Sequence, residues 1–338
     1  MRFEGVDAAR GLAILGMLWA HTADDGTRQS LADGRPSVLF AVLAGCSIGL
    51  LTGGAQPRRG RAGRDALVSV GLRGVLLVLL GLVLWTLGTP VAIILDTYGV
   101  LFVLLLPVVL APVAVVAAVG LAAAIVGPFV VQAVGPDLST PFTPDRLLQL
   151  PAEWLVTGYY PGVVWAAYLC LGLVAARAGL AERRTLVAMT AGGAATSLLG
   201  YGGAGLLGQD ASAHANTTAE VLGSGGLAIA VVGALQLLCA SPATGPVARR
   251  VLGPLVAAGR MPLTIYTGQL FVLAFWLLTP AAGDPPWIES WSLLLGLAVA
   301  SLVVAVLWQR FVGRGPLEVV VSRLTAVGAR REAVRTIR

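Results

Sequence analysis

Residues 97–136, TYGVLFVLLLPVVLAPVAVVAAVGLAAAIVGPFVVQAVGP, run for 40 positions without an Asp, Glu, Arg or Lys. About 20 apolar residues cross a bilayer as a helix. This stretch therefore holds two spans, and Pro107 and Pro112 mark the break between them. Outward from it, charge-free runs recur at 36–57, 74–95, 154–176, 185–208, 221–248, 261–283 and 290–309. The whole chain is 57% hydrophobic and 12% charged, with a mean hydropathy of +0.85, whereas a soluble domain carries about 25% charged residues. The pattern excludes a soluble core and predicts an all-α, polytopic membrane bundle. Spans are expected near 7–23, 36–53, 66–88, 90–108, 112–133, 159–177, 185–207, 221–240, 256–279 and 289–309, ten in all. No linker of domain type interrupts them, so residues 1–325 read as one membrane domain followed by a basic tail at 326–338.

All 23 basic residues are Arg. Arg58, Arg59, Arg61 and Arg64 follow the second span, Arg177, Arg183 and Arg184 the sixth, and Arg249 and Arg250 the eighth. Seven more Arg follow the last span. The alternate loops hold only Arg28, Arg35 and Arg146 and are acidic instead, with Asp24, Asp25, Asp33, Asp137, Asp145, Glu153, Asp210 and Asp284. The positive-inside rule then places both termini in the cytoplasm of a multi-pass plasma-membrane protein. The net charge of +6 is a topology signal and not a nucleic-acid footprint. The Arg2 and apolar run at the start mimic a signal peptide, but Asp7 and Arg10 lie at or inside the run and no A-x-A site follows; the first helix is expected to stay uncleaved. Cys46, Cys170 and Cys239 fall inside spans as small core residues, and with two His in the chain no metal set is expected.

The first span, GVDAARGLAILGMLWAHT (residues 5–22), carries Asp7, Arg10 and His21. Ionisable groups inside a bilayer are costly and commonly functional. Arg10 and His21 are eleven positions apart, which is three turns and nearly the same face, roughly 16 Å along the axis. Asp7 and Arg10 read either as an i,i+3 ion pair at the interface or as an Arg available to an anionic group. His21 is either a solvent-exposed helix end or a general base beside Asp24. His214 sits in the polar outer loop DASAHANTTAE. Arg73 and Asp96 lie within spans at different depths, so neither is expected to pair with the other, and Asp96 opens the polar interruption Asp96-Thr97-Tyr98-Gly99. Arg260 opens GRMPLTIYTGQ, where Thr264, Tyr266, Thr267 and Gln269 either bond to neighbouring helices or line a cavity. Gly45 and Gly49 form a GxxxG pair, and Gly200, Gly202, Gly203 and Gly205 crowd the end of the seventh span; both read as close helix packing. In the loop 134–158, TPDRLLQL is expected to form a short helix capped by Thr143, with Leu147, Leu148 and Leu150 on the membrane surface. Trp154, Tyr159 and Tyr160 read as an interface belt or, alternatively, as substrate-facing aromatics. Residues 315–328 are expected to form an amphipathic piece on the inner leaflet.

Six stretches in chain order, 5–22, LFAVLAGCSIGLL (39–51), ILDTYGVLF (94–102), TGYYPGVVWAAYLCLGLVAAR (157–177), AAGRMPLTIY (257–266) and GRGPLEVVVSRLT (313–325), resemble the bacterial membrane proteins related to heparan-alpha-glucosaminide N-acetyltransferase, and among them the YeiB-like branch. The resemblance implies a transmembrane acyltransferase that uses acetyl-CoA or another acyl-CoA from the cytoplasmic side, needs no metal, and acylates a sugar or another amine or hydroxyl acceptor on the other side. Arg10 and His21 fall on the family's Arg and polar position of the first helix; with depth and charge added, His21 would be the base, Asp96 a second catalytic group on the acceptor side, and Arg10, Arg73 and Arg260 would hold the phosphates of the CoA. Tyr98, Tyr160, Trp165, Gln269 and His214 would line the acceptor side. The animal enzyme has Asn at the position of His21 and its catalytic His in the following loop; residues 22–35 here contain no second His. The alternative classes are a transporter or flippase for a small polar or lipid-linked substrate and a non-catalytic membrane protein. The partners expected are the bilayer and a small-molecule or glycan acceptor, and a homodimer is an open arrangement.

Overall fold

The computed structural model describes residues 3–23, 33–135, 146–206, 208–283, 288 and 290–326. Every regular element among them is helical: α1 (Glu4–Thr22), α2 (Arg35–Leu51), α3 (Gly60–Trp85), α4 (Leu95–Leu104), α5 (Leu106–Val109), α6 (Val113–Val134), α7 (Arg146–Ala152), a π-helical turn (Glu153–Thr157), α8 (Gly162–Ala178), α9 (Arg183–Ala204), α10 (Thr218–Ala240), α11 (Gly245–Val251), α12 (Gly253–Gly259), α13 (Pro262–Trp276), a 3-10 turn (Pro280–Ala282), α14 (Trp291–Phe311) and α15 (Pro316–Leu324). Four helices, α3, α6, α10 and α14, are long and apolar enough to cross a membrane; a fifth span is formed if the bent pair Leu148–Thr157 and Gly162–Ala178, turned by 60°, counts as one. Shorter apolar helices occur at α2, α4 and α13.

Burial is distributed as a lipid solvent requires. Only 22% of the apolar window is buried in each of α3, α6 and α14, against 61% in α10. The outer helices present Leu79, Val83, Leu121, Phe129, Leu295 and Val299 outward, a surface no water-soluble chain exposes at this scale. The centre is built from α1, α2, α8 and α10. Lipid tails are as apolar as Leu, so close approach of small residues holds the helices together. A Cβ on Gly45 would run into the Leu169 carbonyl, and one on Gly172 into the Val42 carbonyl; these two glycines bring α2 against α8. Gly49 meets Ala176 and Leu173 in the same seam, so both members of the GxxxG pair are contact residues. In the glycine-rich end of α9, only Gly200 is packed, against Gly223 of α10. Gly202, Gly203 and Gly205 touch nothing, so their expected packing role is corrected. The three cysteines are free and buried, as expected of core residues.

Two expected spans are discontinuous. Residues 86–94 are not helical, and the apolar run continues only as α4 and the short α5 before Pro112 caps α6. The run 256–279 divides at Arg260–Met261 because Pro262 starts α13 and Met261 lies outside the helical region, at φ −134° and ψ 51°. The freed N-terminal amides of α13 find a side-chain partner: Glu318 of α15 accepts from the Leu263 N–H at 2.7 Å, the Thr264 N–H at 3.1 Å and the Thr264 hydroxyl at 2.6 Å. Arg177, buried near the end of α8, donates to the Gly49, Gly54 and Val109 carbonyls and to the Thr52 hydroxyl. It thereby gathers the C-terminal ends of α2 and α5, where a cation is favoured. In α7 Leu148 is exposed, as expected, but Leu150 is buried; the 60° turn into α8 folds it inward. Thr143 and its capping role, and the side chain of Leu147, lie outside the described residues.

The glycine contacts separate by position. Gly172→Leu is expected to lower stability by about 1–3 kcal/mol through overpacking, while Gly202→Leu stays within about 0.5 kcal/mol; denaturation of the purified protein in detergent measures both.

Candidate functional site

One cluster of charge surrounds the start of α1. Asp7 is buried, and its Oδ1 accepts from Arg10 at 2.8 Å while its Oδ2 pairs with Arg260 at 3.4 Å. Arg10 also donates to the Gly259 carbonyl and the Ser47 hydroxyl, both at 3.2 Å. Arg260 reaches Glu4 at 3.4 Å and the Gln309 side chain at 3.5 Å, and Arg249 meets the other Glu4 oxygen at 3.5 Å. Two carboxylates thus face three guanidinium groups. The close passage of α1 over α12 fixes this arrangement, since a Cβ on Gly259 would overlap the Asp7 carbonyl. The i,i+3 pair predicted for Asp7 and Arg10 is present, and Arg260 joins it. Arg73 does not: its Nε is buried without a hydrogen-bond partner, and among the described residues nothing pairs with it. Gln269, on α13, donates to Ser301 of α14 at 3.1 Å and is buried there as an interhelical bond.

A second cluster gathers where α4, the π-helical turn and α8 meet. Asp96 opens α4, which takes a buried carboxyl at its N-terminal turn. Its Oδ2 accepts from the Trp154 indole at 2.8 Å, and its Oδ1 meets no partner in hydrogen-bonding geometry. Tyr98 is fully buried and donates to the Ser37 carbonyl at 2.8 Å. Tyr160 lies edge-on to Trp165 with centroids 4.9 Å apart, and Trp165 edge-on to Tyr168 at 5.2 Å. Trp154 and Tyr160 thus turn toward Asp96 and Trp165, and only Tyr159 of that trio is exposed.

His214 completes this cluster from a distant part of the sequence. Its ring lies 4.1 Å from Tyr159 and 5.4 Å from Tyr160, and 6.2 Å from Trp165 with the planes within 11°. The backbone that carries it is tightly held. Glu220, at the start of α10, accepts from the His214 N–H at 2.7 Å and the Asn216 N–H at 2.6 Å. Thr217 bonds to the Asp210 carbonyl, and Asn216 to the His214 carbonyl at 2.9 Å. His214 and Asn216 have φ of 61° and 51°, the left-handed region that non-glycine residues seldom occupy. Burial lowers the His214 pKa to about 4, opposed by the Asp33 carboxylate.

The structure brings together Asp96, Tyr98, Tyr160, Trp165 and His214, and separately Arg10 and Arg260. No hydrogen bond or ion pair joins His21 to Asp96 among the described residues. His21 closes α1 next to Thr22, whose carbonyl accepts from Ser290, and near the Trp19–Trp291 edge contact. Trp154, Glu220, Glu318 and Gln309 are the groups whose roles sequence reading missed. For Glu318 the signal was available in the paired strings RMPLT and RGPLE: a proline-started helix needs an acceptor for its N-terminal amides, and a glutamate stands in the matching string.

Asp7→Asn is expected to cost about 1–3 kcal/mol, because part-buried Arg10 loses its counter-charge while Arg260 keeps Glu4, seen as a fall in thermal stability in detergent. For His214 the folded-state pKa lies below that of a free imidazole, about 6.5, so the unfolded segment binds the proton more readily. His214's own contribution is thus full above about pH 6.5 and declines as the pH falls towards 4, while the Glu220 carboxyl, raised by burial, acts in the opposite direction, so the His214 part is the difference between the wild type and His214→Gln. Hydrogen exchange of residues 209–217 at pH 7 and pH 5 measures this, and His214→Gln is expected to remove that part.

Residues 172–328 match a family described as "Protein of unknown function (DUF418)". No curated protein matches the sequence. The family match covers the C-terminal signature strings AAGRMPLTIY and GRGPLEVVVSRLT and supports membership of the YeiB-like group.

Proposed function

We propose that the chain is a membrane-embedded acyltransferase that moves an acyl group, acetyl by preference, from acyl-CoA to an amine or hydroxyl acceptor such as a sugar. The observation that carries this reading is the separation of two unlike sites along the bundle. Around the start of α1 stand Arg249 and Arg260, whose pairs to Glu4 and Asp7 are 3.4–3.5 Å long and whose side chains are 45% and 28% exposed. Arg10 is held at 2.8 Å and is 17% exposed. Arg260 is accordingly the group available to a CoA phosphate, and Arg10 holds Asp7 in place. In the other cluster, aromatic faces surround polar atoms that lack partners, the setting for a polar acceptor. His21 takes the proton from the acceptor O–H or N–H as that atom attacks the thioester carbonyl. The new C–O or C–N bond forms, the C–S bond breaks, and the CoA thiolate leaves to be protonated. Asp96 orients the acceptor. Both termini lie in the cytoplasm of the plasma membrane with ten spans. In support, Arg249 pairs with Glu4 and Glu318 caps α13 beside Arg260, so the N-terminal end of α1, the α10–α11 connection and α15 share one end of the bundle.

A transporter is the second reading. The break between α12 and α13 beside Arg260 and the bent entry to α8 favour it, because discontinuous helices commonly mark transport sites.

Acetyl-CoA is expected to raise the melting temperature of the purified protein, desulfo-CoA less so, and free acetate not at all. His21→Ala and Asp96→Asn are expected to lower acyl transfer at least about 100-fold while keeping the acetyl-CoA shift. Arg260→Gln should remove the shift. Absence of any CoA-dependent shift, with solute flux in liposomes, would favour the transporter. Reporter fusions after residues 56, 181 and 338 are expected to read cytoplasmic.

A further inference from the structure

We infer that Tyr159, Tyr160 and Trp165 form a seat for the flat face of a hydroxylated ring, and that His214 is a displaceable plug occupying that seat. The inference rests on the acceptor-side reading above and names what keeps that site closed. Three observations support it. The imidazole lies among three aromatic rings, 4.1 Å from Tyr159 at a tilt of 39°, 5.4 Å from Tyr160 edge-on, and parallel to the Trp165 indole within 11° at 6.2 Å, an aromatic enclosure that fits a flat ring. Beneath it the seat is polar but unsatisfied: Trp165 is 1% exposed with its indole N–H unpartnered, the His214 Nδ1 is likewise sealed without a partner, and Asp96 Oδ1 is orphaned nearby. Buried polar atoms without partners are rare in a finished core; a donor and a carboxylate acceptor beside aromatic faces suit a ring bearing hydroxyls, which both gives and accepts hydrogen bonds.

The plug is also built to move. It enters on a segment without regular structure, with His214 and Asn216 in left-handed backbone, and its main anchor is the Glu220 carboxylate that takes both their N–H groups. Gly34 gives it room: a Cβ there would stand 3.0 Å from the Ala213 Cβ and 3.3 Å from His214 Nε2. Opening requires breaking the two hydrogen bonds to Glu220 and the three ring contacts of His214, and it relaxes two residues in left-handed backbone. A ligand for the seat binds only the open fraction, so its apparent affinity is reduced by that fraction.

The test titrates the full-length protein in detergent with methyl β-D-glucopyranoside, following tryptophan fluorescence, without acyl donor. The wild type is expected to bind weakly. His214→Ala should bind at least about 5-fold more tightly as the plug is lost, Glu220→Gln should shift the same way as the latch is loosened, and Trp165→Ala should abolish binding in every background. Weaker binding in His214→Ala would make His214 a fixed wall of the site and overturn the plug. No saturable binding in any variant would overturn the seat. If His214→Ala does not fold, Glu220→Gln decides between the same outcomes. Failure of acyl transfer leaves these results standing, and failure of the titration leaves the acyl-transfer assays standing.

Discussion

The bundle depends on one buried carboxylate. Asp7 sits on an apolar helix at a depth where an unpaired charge would cost several kcal/mol, and it is matched on both oxygens, by Arg10 of its own helix and by Arg260 from the far end of the chain. The match requires α1 and α12 to touch, which Gly11 and Gly259 allow. It also requires Arg260 to stand at a helix end and not within a continuous helix. Pro262 creates that end, and Glu318 then satisfies the amides it frees. Ion pair, glycine contact, helix break and cap are thus consequences of one requirement, that charge in a low-dielectric interior be paired.

The surrounding helices obey a different rule. In lipid, apolar burial provides no drive for helix association, so contact follows backbone proximity. This explains why the buried stripe of α2 and α8 is marked by Gly45, Gly49 and Gly172 and not by large residues, and why α3, α6 and α14 bury so little of themselves. It also explains the use of Arg177 as a clamp: with its guanidinium bonded to four oxygens from two chain segments, it ties the ends of α2 and α5.

Helix existence was legible in the sequence because lipid demands long apolar runs, and seven of the ten expected spans correspond to single helices with ends within four residues, α1, α2, α6, α8, α9, α10 and α14. What was not legible came from contacts between distant segments. The fourth and ninth runs carry polar residues, Asp96 to Tyr98 and Arg260 to Gln269, but their apolar content continues on both sides, so composition alone could not show that α4 starts at Leu95 or that the ninth run breaks at Arg260. In the candidate site, Asp96, Tyr98, Tyr160 and Trp165 could be chosen because each is a polar or aromatic interruption within an apolar pattern. His214 was grouped with Tyr98, Tyr160 and Trp165 on the acceptor side, but the contact itself was not legible, since it depends on a loop 49 positions beyond Trp165 folding back through Glu220. Trp154 was read as a belt residue because a Trp beside an apolar run has that appearance whether its N–H faces headgroups or, as here, a carboxylate. The polar stretch of the ninth run was ambiguous in the same way, and Gln269 uses its amide for a neighbouring helix.

The two clusters differ in a way that bears on which of them changes state. Around Asp7 every carboxylate has a cation and the residual charge is positive, so the arrangement is complete as it stands. Around Asp96 the polar atoms outnumber their partners: Asp96 Oδ1, the Trp165 indole N–H and His214 Nδ1 are all unmet. A bundle selected only for stability would have filled those positions with apolar side chains, since replacing an unsatisfied polar group by an isosteric apolar one removes a desolvation cost of about 1–3 kcal/mol. Three such atoms and two residues in left-handed backbone lie in this cluster, and a polar partner bound there, as proposed above, would relieve that cost.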